Sequence, residues 1–389
     1  MELPSYFNDF LDKIRCTKNQ IDGYKTGHQT LRKRLHEDET LSPIIVSTFL
    51  QGSYRRATAI RPRAGKRADV DIIVVTKLSE DEYTPEEALD VFVSFLDKYY
   101  EGKYELQGRS FGIELSYVDL DLVITSAPSE REFGILQAES VTTDDTPEIV
   151  DDWRLVASWI STDTRVSKSS SFVETRLDAA RKQPEWKISP LRIPDRDAQH
   201  WQDTHPLAQI QWTSEKNQKC NKHYVNVVKA LKWWRRINHP TPKYPKGYPV
   251  EHLIGQCCPD GITSVAEGVT KTLERIGHDY RLDALLKIPL DLLNHPELGD
   301  RGVPTHNVFQ RISGEDFAEF HNQVCKAAKI AREALDAETI SESVRNWKLL
   351  FGKEFPDDSG NCSSGNDDPP SGGFTKRQSP TIIAKGRFG

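Results

Sequence analysis

The sequence predicts an α/β fold with two lobes, in which a mixed sheet with flanking helices is followed by a helical second part. Two short runs rich in β-branched residues, 43–50 and 69–75, alternate with helical segments in the first half of the chain. From about Pro147 the apolar residues recur mainly at helical spacing. At 389 residues the chain is long enough for two domains, or for one large domain with an extension.

The first half is predicted to alternate between helices and strands. The predicted order is a helical region over 1–40, strands over 43–50 and 69–75, a helix over 85–100, and paired strands over 104–108 and 112–125. Leu31 and Leu35 form an apolar pair one helical turn apart, and Pro85 stands at a favourable helix start. The polar stretch 54–67 is rich in arginine, and we expect Arg55 and Arg56 to lie nearest to a site.

The second half is predicted to be mainly helical. Residues 165–210 are expected to mix helix with proline-rich connections, and residues 238–249, with four prolines, to form a rigid loop. Further helices are predicted over 221–238, 250–257, 264–276, 281–294 and 315–352.

The composition changes near the C-terminus. From Pro356 onward Gly, Ser, Pro, Asp and Asn dominate, and such a segment buries too little apolar surface to offset the entropy of ordering. We therefore predict three segments: a sheet-bearing core with an N-terminal helix over 1–200, a helical domain over 201–355, and a disordered tail over 356–389.

The composition also excludes several classes of protein. The net charge is −6, with 52 Lys and Arg against 58 Asp and Glu, which argues against an extended nucleic-acid groove. No apolar run approaches the ~18 residues of a membrane-spanning helix, and the first residues do not resemble a secretory signal. The six cysteines contain no CxxC pair and are too few for a disulfide scaffold. We expect a cytoplasmic protein that does not act at a membrane.

A pair of aspartates opens the second predicted strand. Asp69 and Asp71 are two residues apart, so their side chains leave the strand on the same face. Two carboxylates held close together repel each other, and a cation between them removes that cost. Because no His or Cys stands nearby in the sequence, the oxygen ligands favour a hard ion, Mg²⁺ or Mn²⁺.

A third acid is available on the last predicted strand of the first half. Asp119 and Asp121 share one face there, and from the residues alone either could complete a three-carboxylate site. Three such acids can hold two metal ions roughly 3.5–4 Å apart. One ion would help to deprotonate an attacking hydroxyl, and the other would hold a nucleoside triphosphate and neutralise its leaving pyrophosphate. The acids therefore predict metal-dependent nucleotidyl transfer.

The turn before these acids suits a phosphate group. Gly52 lets the backbone come close to a bound triphosphate, and the Ser53 hydroxyl and neighbouring N–H groups can bind its oxygens. Alone, a Gly-Ser pair is usually only a turn, and an Asp-x-Asp pair is often a solvated strand edge. The functional interpretation is favoured because both flanking runs are apolar, and carboxylates that open a buried strand are costly without a partner.

One stretch of the sequence resembles a known family. Gln51-Gly-Ser53, followed by Asp69-Val-Asp71, is similar to the active-site signature of the cGAS/DncV-like nucleotidyltransferases of bacterial CBASS anti-phage defence. The resemblance implies a core of the DNA polymerase β-like nucleotidyltransferase superfamily. It also implies that Gln51, Gly52 and Ser53 bind the nucleotide.

Further along the chain the resemblance assigns two more residues. The strand that contains Asp121 is similar to the strand that carries the family's third acid, which favours Asp121 over Asp119. The helix 228–234 is similar to a family helix whose lysine contacts the triphosphate, and this position is Lys232. The alternative for Lys232 is a solvated helix lysine.

The chain departs from the family at one point. Many members have a Ser-Tyr pair at the start of the helix that follows, with the serine near the phosphates. Here Lys246-Gly-Tyr248-Pro stands in that region. Lys246 or Tyr248 is therefore expected to take the place of the serine.

The resemblance implies the synthesis of a cyclic oligonucleotide second messenger in anti-phage signalling. The product would be an adenine-containing di- or trinucleotide, and a separate effector would respond to it. The substrates would be ATP, with or without other NTPs, and the reaction would use two Mg²⁺ or Mn²⁺ ions. Because the chain ends in Gly389, it also looks compatible with conjugation by a ubiquitin-transfer-like enzyme, although an ordinary terminus is the alternative. Two other functions remain open: a linear nucleotidyltransferase acting on RNA, a small molecule or a protein, and an inactive nucleotide sensor or conjugation partner.

Overall fold

The structure is a computed structural model that describes residues 1–62, 65–127, 189–238, 245–287 and 298–358. With the exception of Asp358, these residues belong to one compact unit, Met1–Asp357. Within the described ranges, no helix combines the length and the apolar character needed to cross a membrane.

Helices precede, flank and follow the strands of a single sheet. The helices are α1 (Pro4–Ile14), α2 (Lys18–Glu37), α3 (Gly52–Arg55), α4 (Pro85–Asp90), α5 (Val93–Tyr100), α6 (Pro206–Lys219), α7 (Tyr224–Asn238), α8 (Gly247–Cys257), α9 (Val265–Asp279), α10 (Arg281–Leu286), α11 (Gly314–Asp336) and α12 (Ile340–Phe351), with a 3₁₀ turn over Gly352–Glu354. The strands are β1 (Ile45–Gln51), β2 (Asp69–Thr76), β3 (Tyr104–Leu106), β4 (Ser110–Glu114), β5 (Asp119–Ser126), β6 (Leu191–Asp195) and β7 (His200–Thr204).

In the described residues, seven strands form one mixed sheet. Its main order is β1-β2-β5-β4-β3, and β6 and β7 continue from β5 as a hairpin. β2 and β5 run parallel, while the other neighbouring strands are antiparallel. The predicted mixed sheet with flanking helices is confirmed, and its parallel pair places the first residues of β2 and β5 side by side.

Two large hydrophobic cores support this arrangement. In the first, residues of the central strands such as Ile72 and Leu122 pack with α2, α4 and α5. In the second, the helices from α7 to α12 pack together, and α1 joins them. Phe10 of α1 stacks on Phe351 of α12 with ring centroids 4.5 Å apart, a contact that contributes about 0.5–1.5 kcal/mol beyond its buried area.

The hairpin β6–β7 corrects one sequence prediction. The sequence predicts helix and proline-rich connections over 165–210, but the part of this range that the structure describes contains two strands before α6. Leu191, Ile193 and Trp201 bury their side chains and hold the hairpin in place. Pro194 does not prevent strand formation, because β6 pairs with β5 only at Arg192, so among the described strands Pro194 has a neighbour on one side only and a missing N–H group is tolerated.

Three predicted elements are each divided in two. They are the helices over 85–100 and 315–352 and the strand over 112–125. The first helix breaks where the Phe92 N–H bonds to the Leu89 carbonyl, only three residues back. The strand is interrupted by a turn that the Leu115 N–H closes on the Val118 carbonyl. The last helix breaks before Thr339, whose side chain caps α12.

The predicted division after residue 200 stays a prediction. The strand β7, His200–Thr204, crosses the predicted boundary. The helical region expected from Pro147, the end of the helix predicted over 281–294 and the tail from residue 359 onward lie outside the residues that the structure describes.

Candidate active site

The structure brings most of the predicted site residues to one cavity. The cavity measures about 450 Å³, and its walls include the turn after β1, the first residues of β2, and parts of α7 and α8. The predicted site residues that line it are Gln51, Gly52, Ser53, Asp69, Asp71 and Lys232. Asp121 lies beside Asp71 on the neighbouring strand.

The parallel pairing of β2 with β5 brings the acids together. Asp71 is paired with Asp121, and Asp69 is paired with Asp119. Since alternate residues share a face and paired residues of neighbouring strands point the same way, all four carboxylates leave one face of the sheet. The sequence predicts that the two acids of each pair share a face of their own strand. Only the register between β2 and β5 brings the two pairs together.

The two candidates for the third acid have different surroundings in the structure. The Asp119 carboxylate accepts a hydrogen bond from Arg67 Nε, and Nη2 of the same guanidinium donates to Glu114. In Asp121, by contrast, Oδ1 is buried and has no hydrogen-bond partner among the described residues. The surroundings of the two acids therefore differ, and Asp121 as the third acid stays a prediction.

The surroundings of the acids oppose their ionisation. Partial burial and the charges of Asp71 and Asp121 raise the pKa of Asp69 to about 7. Burial, with a further contribution from Asp71, raises the pKa of Asp121 to about 6, although a hydrogen bond with Ser110 acts in the opposite direction. Burial also raises the pKa of Asp71, despite the attraction of the Arg56 charge. Crowded carboxylates of this kind are stabilised when a divalent cation binds them.

The acids fit a hard divalent cation, although the described residues contain no preformed group of three or more His, Cys, Asp or Glu side chains with metal-binding geometry. The donors are all carboxylate oxygens, which Mg²⁺ and Mn²⁺ prefer. Asp121 Oδ1 is buried and finds no partner in the described part of the chain, and Asp69, Asp71 and Asp121 all have raised pKa values. These are the features expected of ligands whose charge a cation would balance.

Gly52 stands where β1 passes into α3. Its φ is +73°, in the left-handed region that glycine adopts without strain. A Cβ at this position would overlap the carboxylate of Asp71. The absence of a side chain is therefore what allows the turn to approach the acid.

Replacing Gly52 with alanine is expected to lower activity about a hundredfold or more, because the added methyl group would displace the Asp71 carboxylate. Gly102→Ala is the matched control: Gly102 has a φ of +67°, and nothing lies within 4 Å of the added Cβ. Both variants should lose about 1–2 kcal/mol of stability to backbone strain. Initial rates and thermal unfolding measure the two effects, and an equal loss of activity in both variants would contradict this account.

Lys232 is part of the cavity wall and not a solvated helix lysine. It lies on α7, and its side chain is only 16% exposed. Its Nζ donates a hydrogen bond to the carbonyl oxygen of Thr58 at 3.0 Å and lies 3.6 Å from Glu251 Oε2. Its predicted role toward a triphosphate stays a prediction.

Next to Lys232 lies a buried ion pair between Arg56 and Glu251, and the sequence analysis indicates only the first of these residues. Arg56 was expected near the site, but its partner Glu251 was missed. Arg56 Nε donates to Glu251 Oε1 at 2.8 Å, and both side chains are almost completely buried. The only signal in the sequence is a carboxylate between apolar residues of α8, with Val250 before it and Leu253 and Ile254 after it.

The start of α8 is the region where many members of the family have a Ser-Tyr pair. Gly247 and Tyr248 line the cavity, whereas Lys246 is not one of the lining residues. The Tyr248 hydroxyl donates a hydrogen bond to Asp300 Oδ2 at 2.8 Å. Of the two candidates for the place of the serine, Tyr248 is therefore the better positioned. Further lining residues that the sequence did not indicate are Arg109, Ile193, Asp203, Thr204, Gln209, Asp300, Val303 and His306.

The fold and the cavity together define a class of protein. Aspartates on the first residues of paired parallel strands, a glycine turn beside them and largely buried basic residues in the cavity wall are the parts of a nucleotidyltransferase site. The sequence model that describes the Second Messenger Oligonucleotide or Dinucleotide Synthetase domain matches residues 1–135.

Whole-length relatives identify the family. The chain is 46% identical to the cyclic AMP-AMP-GMP synthase of Enterobacter hormaechei and 47% identical to a probable cyclic AMP-AMP-GMP nucleotide synthase of Salmonella paratyphi B, with all of each chain covered. The solved structure of CdnC from E. coli MS115-1 with ATP shares the fold, with a TM-score of 0.60 at 15% identity over 92% of this chain and 100% of that one. This chain belongs to the cGAS/DncV-like nucleotidyltransferase family, and it is a cyclic oligonucleotide synthase.

Proposed function

We propose that this enzyme joins two molecules of ATP and one of GTP into cyclic AMP-AMP-GMP. The observation that carries the proposal is the identity of 46–47%, over the whole of both chains, with proteins named as synthases of that trinucleotide. In each of three steps a ribose hydroxyl attacks an α-phosphorus, a new phosphodiester bond forms, and the bond to pyrophosphate breaks. The third step closes the ring.

Asp69, Asp71 and Asp121 would hold two Mg²⁺ or Mn²⁺ ions. When bound, such ions neutralise the charge of the triphosphate and make the attacking hydroxyl more acidic. The proposal is supported by the shared face of these carboxylates, by their raised pKa values and by Asp121 Oδ1, for which the described residues supply no partner.

The other residues of the cavity would orient the nucleotide and balance its charge. Gln51, Gly52 and Ser53 would contact the nucleotide, with the Ser53 hydroxyl and nearby N–H groups donating to phosphate oxygens. Lys232 would stabilise the negative charge that develops on the departing pyrophosphate. Asp121 is the candidate for accepting the proton of the attacking hydroxyl, since one of its oxygens has no partner among the described residues.

The biological setting is part of the proposal and rests on the family resemblance. The enzyme would act in the cytoplasm during phage infection, and a separate effector would respond to the cyclic product. Gly389, which lies outside the residues that the structure describes, would be the point of attachment for a ubiquitin-transfer-like enzyme.

Omission of single nucleotides tests the proposed composition of the product. With Mg²⁺ and all four NTPs, the purified protein is expected to consume two ATP for each GTP and to leave CTP and UTP untouched. Omission of either purine nucleotide should remove the main product, which chromatography of radiolabelled reactions would reveal. An unchanged product without GTP would contradict the presence of guanine, and a product that phosphatase degrades would favour linear transfer.

A further inference from the structure

Glu251 lies at the centre of a buried polar cluster beside the cavity. Its Oε1 accepts a hydrogen bond from Arg56 Nε at 2.8 Å. Its Oε2 accepts one from the Thr58 hydroxyl at 2.9 Å and lies 3.6 Å from Lys232 Nζ. Its side chain is 2% exposed, so water does not compete for these contacts.

The cluster joins three separate parts of the chain. Arg56 and Thr58 follow the turn that begins at Gly52, Lys232 lies on α7, and Glu251 lies on α8. Lys232 Nζ also donates to the Thr58 carbonyl at 3.0 Å, which closes the cluster. One carboxylate thus connects the turn that carries the glycine to both helices of the facing wall.

The charges explain why a carboxylate is needed there. Arg56 is almost completely buried, and the Lys232 side chain is 16% exposed. Burial lowers the pKa of Lys232, Glu251 raises it, and the Arg56 charge lowers it. Against the effect of its own burial, the two cations bring the pKa of Glu251 down to about 2, so it stays ionised. Without this negative charge, two desolvated cations would face each other unbalanced.

Glu251 has no free oxygen with which to contact a substrate, but its two cationic partners can still bind an anion. Both carboxylate oxygens are occupied by protein donors. Arg56 Nη1 is buried and has no hydrogen-bond partner among the described residues, and Arg56 and Lys232 both line the cavity. An unpartnered guanidinium nitrogen beside an ammonium group is suited to an anionic ligand.

We propose that Glu251 is a positioning residue for the triphosphate of the bound nucleotide, which it serves by holding Arg56 and Lys232 side by side at the cavity wall. Through Nη1, Arg56 binds a phosphate oxygen together with Lys232. This inference rests on the proposed nucleotidyl transfer, and it adds to it the pairing of two cations through one carboxylate.

The test compares the binding of two nucleotides to Glu251→Gln by calorimetry in the presence of Mg²⁺. The affinity for a non-hydrolysable ATP analogue is expected to fall about tenfold or more, because charge-assisted contacts to the phosphates are misplaced. The affinity for AMP, which lacks the β- and γ-phosphates, should change less than about twofold. If both affinities fall by the same factor, Glu251 is only structural and the proposal is wrong.

Two further variants keep the test decisive if Glu251→Gln unfolds. Thr58→Val removes one donor to Glu251 and should lower the affinity for the ATP analogue, and not that for AMP, by a smaller factor. In a double-mutant cycle, Thr58→Val should cost much less in a Lys232→Met background than alone, since both changes act on the same contact to the phosphates. Additive effects would contradict the proposal.

A matched control and the choice of readout separate this inference from the proposed function. Glu274→Gln makes the same chemical change at a carboxylate that binds Arg332 on α11, outside the cavity lining, and should leave both affinities unchanged. Binding does not depend on which product forms. If the wild-type protein makes no cyclic product but Glu251→Gln selectively loses affinity for the ATP analogue, the proposed function is wrong and the role of Glu251 stands. If the wild-type protein makes the product but Glu251→Gln shows no selective loss, only the role of Glu251 is wrong.

Discussion

The double variant Asp69→Asn, Asp71→Asn is expected to lose nucleotidyl transfer by on the order of a thousandfold or more, which is roughly 4 kcal/mol of transition-state stabilisation. Asparagine keeps the shape of the side chain but removes the negative charge that would bind a divalent cation. Release of pyrophosphate from ATP and GTP, followed in a coupled assay, measures the rate. A variant with more than about a tenth of the wild-type rate would show that these carboxylates do not bind an essential metal ion.

Thermal unfolding shows whether a loss of nucleotidyl-transfer activity on replacing these aspartates reflects a general loss of structure. The pKa of Asp69 is raised to about 7, so its ionised form destabilises the folded state. The free energy of unfolding therefore falls as the pH rises from the ordinary pKa of an aspartate, about 4, to about 7, and it stays lower above that pH. Without divalent ions, the single variant Asp69→Asn should therefore unfold at the same or a higher temperature than the wild type at pH 8. Near pH 3, where the carboxyl is protonated in both states, the difference should vanish.

Asp121→Asn and Asp119→Asn are expected to differ strongly in activity, although the two residues lie two positions apart on the same strand. Asp121→Asn should reduce the rate on the order of a thousandfold, because the acid paired with Asp71 is lost. Asp119→Asn should keep the rate within about threefold, since its carboxylate is engaged by Arg67 at an exposed position, where such pairs contribute little.

The same pyrophosphate assay compares the two variants, with thermal unfolding as the check on structure. A large loss in Asp119→Asn and a small loss in Asp121→Asn would assign the third acid to Asp119. Large losses in both variants would indicate that the Arg67 contact, or the β5 strand itself, is needed to hold the site.

Much of the acid site could be predicted from the sequence because its geometry is local. Asp69 and Asp71 share a face through the two-residue repeat of a strand, and Gly52 follows directly from the preceding strand. The choice between Asp119 and Asp121 needed the family resemblance, because both lie on the same face. The structure adds a physical difference that no local pattern contains, the contact between Asp119 and Arg67.

The parts that could not be predicted depend on contacts between distant segments. Arg56 and Glu251 are 195 positions apart, and neither residue alone indicates a buried ion pair. The β6–β7 hairpin was missed because Pro194 suggests a break, whereas a described strand lies on only one side of Pro194, which makes the proline tolerable. In both cases the deciding factor is where the chain lies in space, which the spacing of residues does not encode.

Mass spectrometry of the products tests the central claim most directly. The purified protein would be incubated with ATP, GTP and Mg²⁺, treated with phosphatase, and compared with a reaction containing a chelator and with the double variant Asp69→Asn, Asp71→Asn. We predict a phosphatase-resistant product with the mass of cyclic AMP-AMP-GMP in the complete reaction and none in either control. Linear products alone, or the same cyclic product in the chelator reaction or the double variant, would contradict the account.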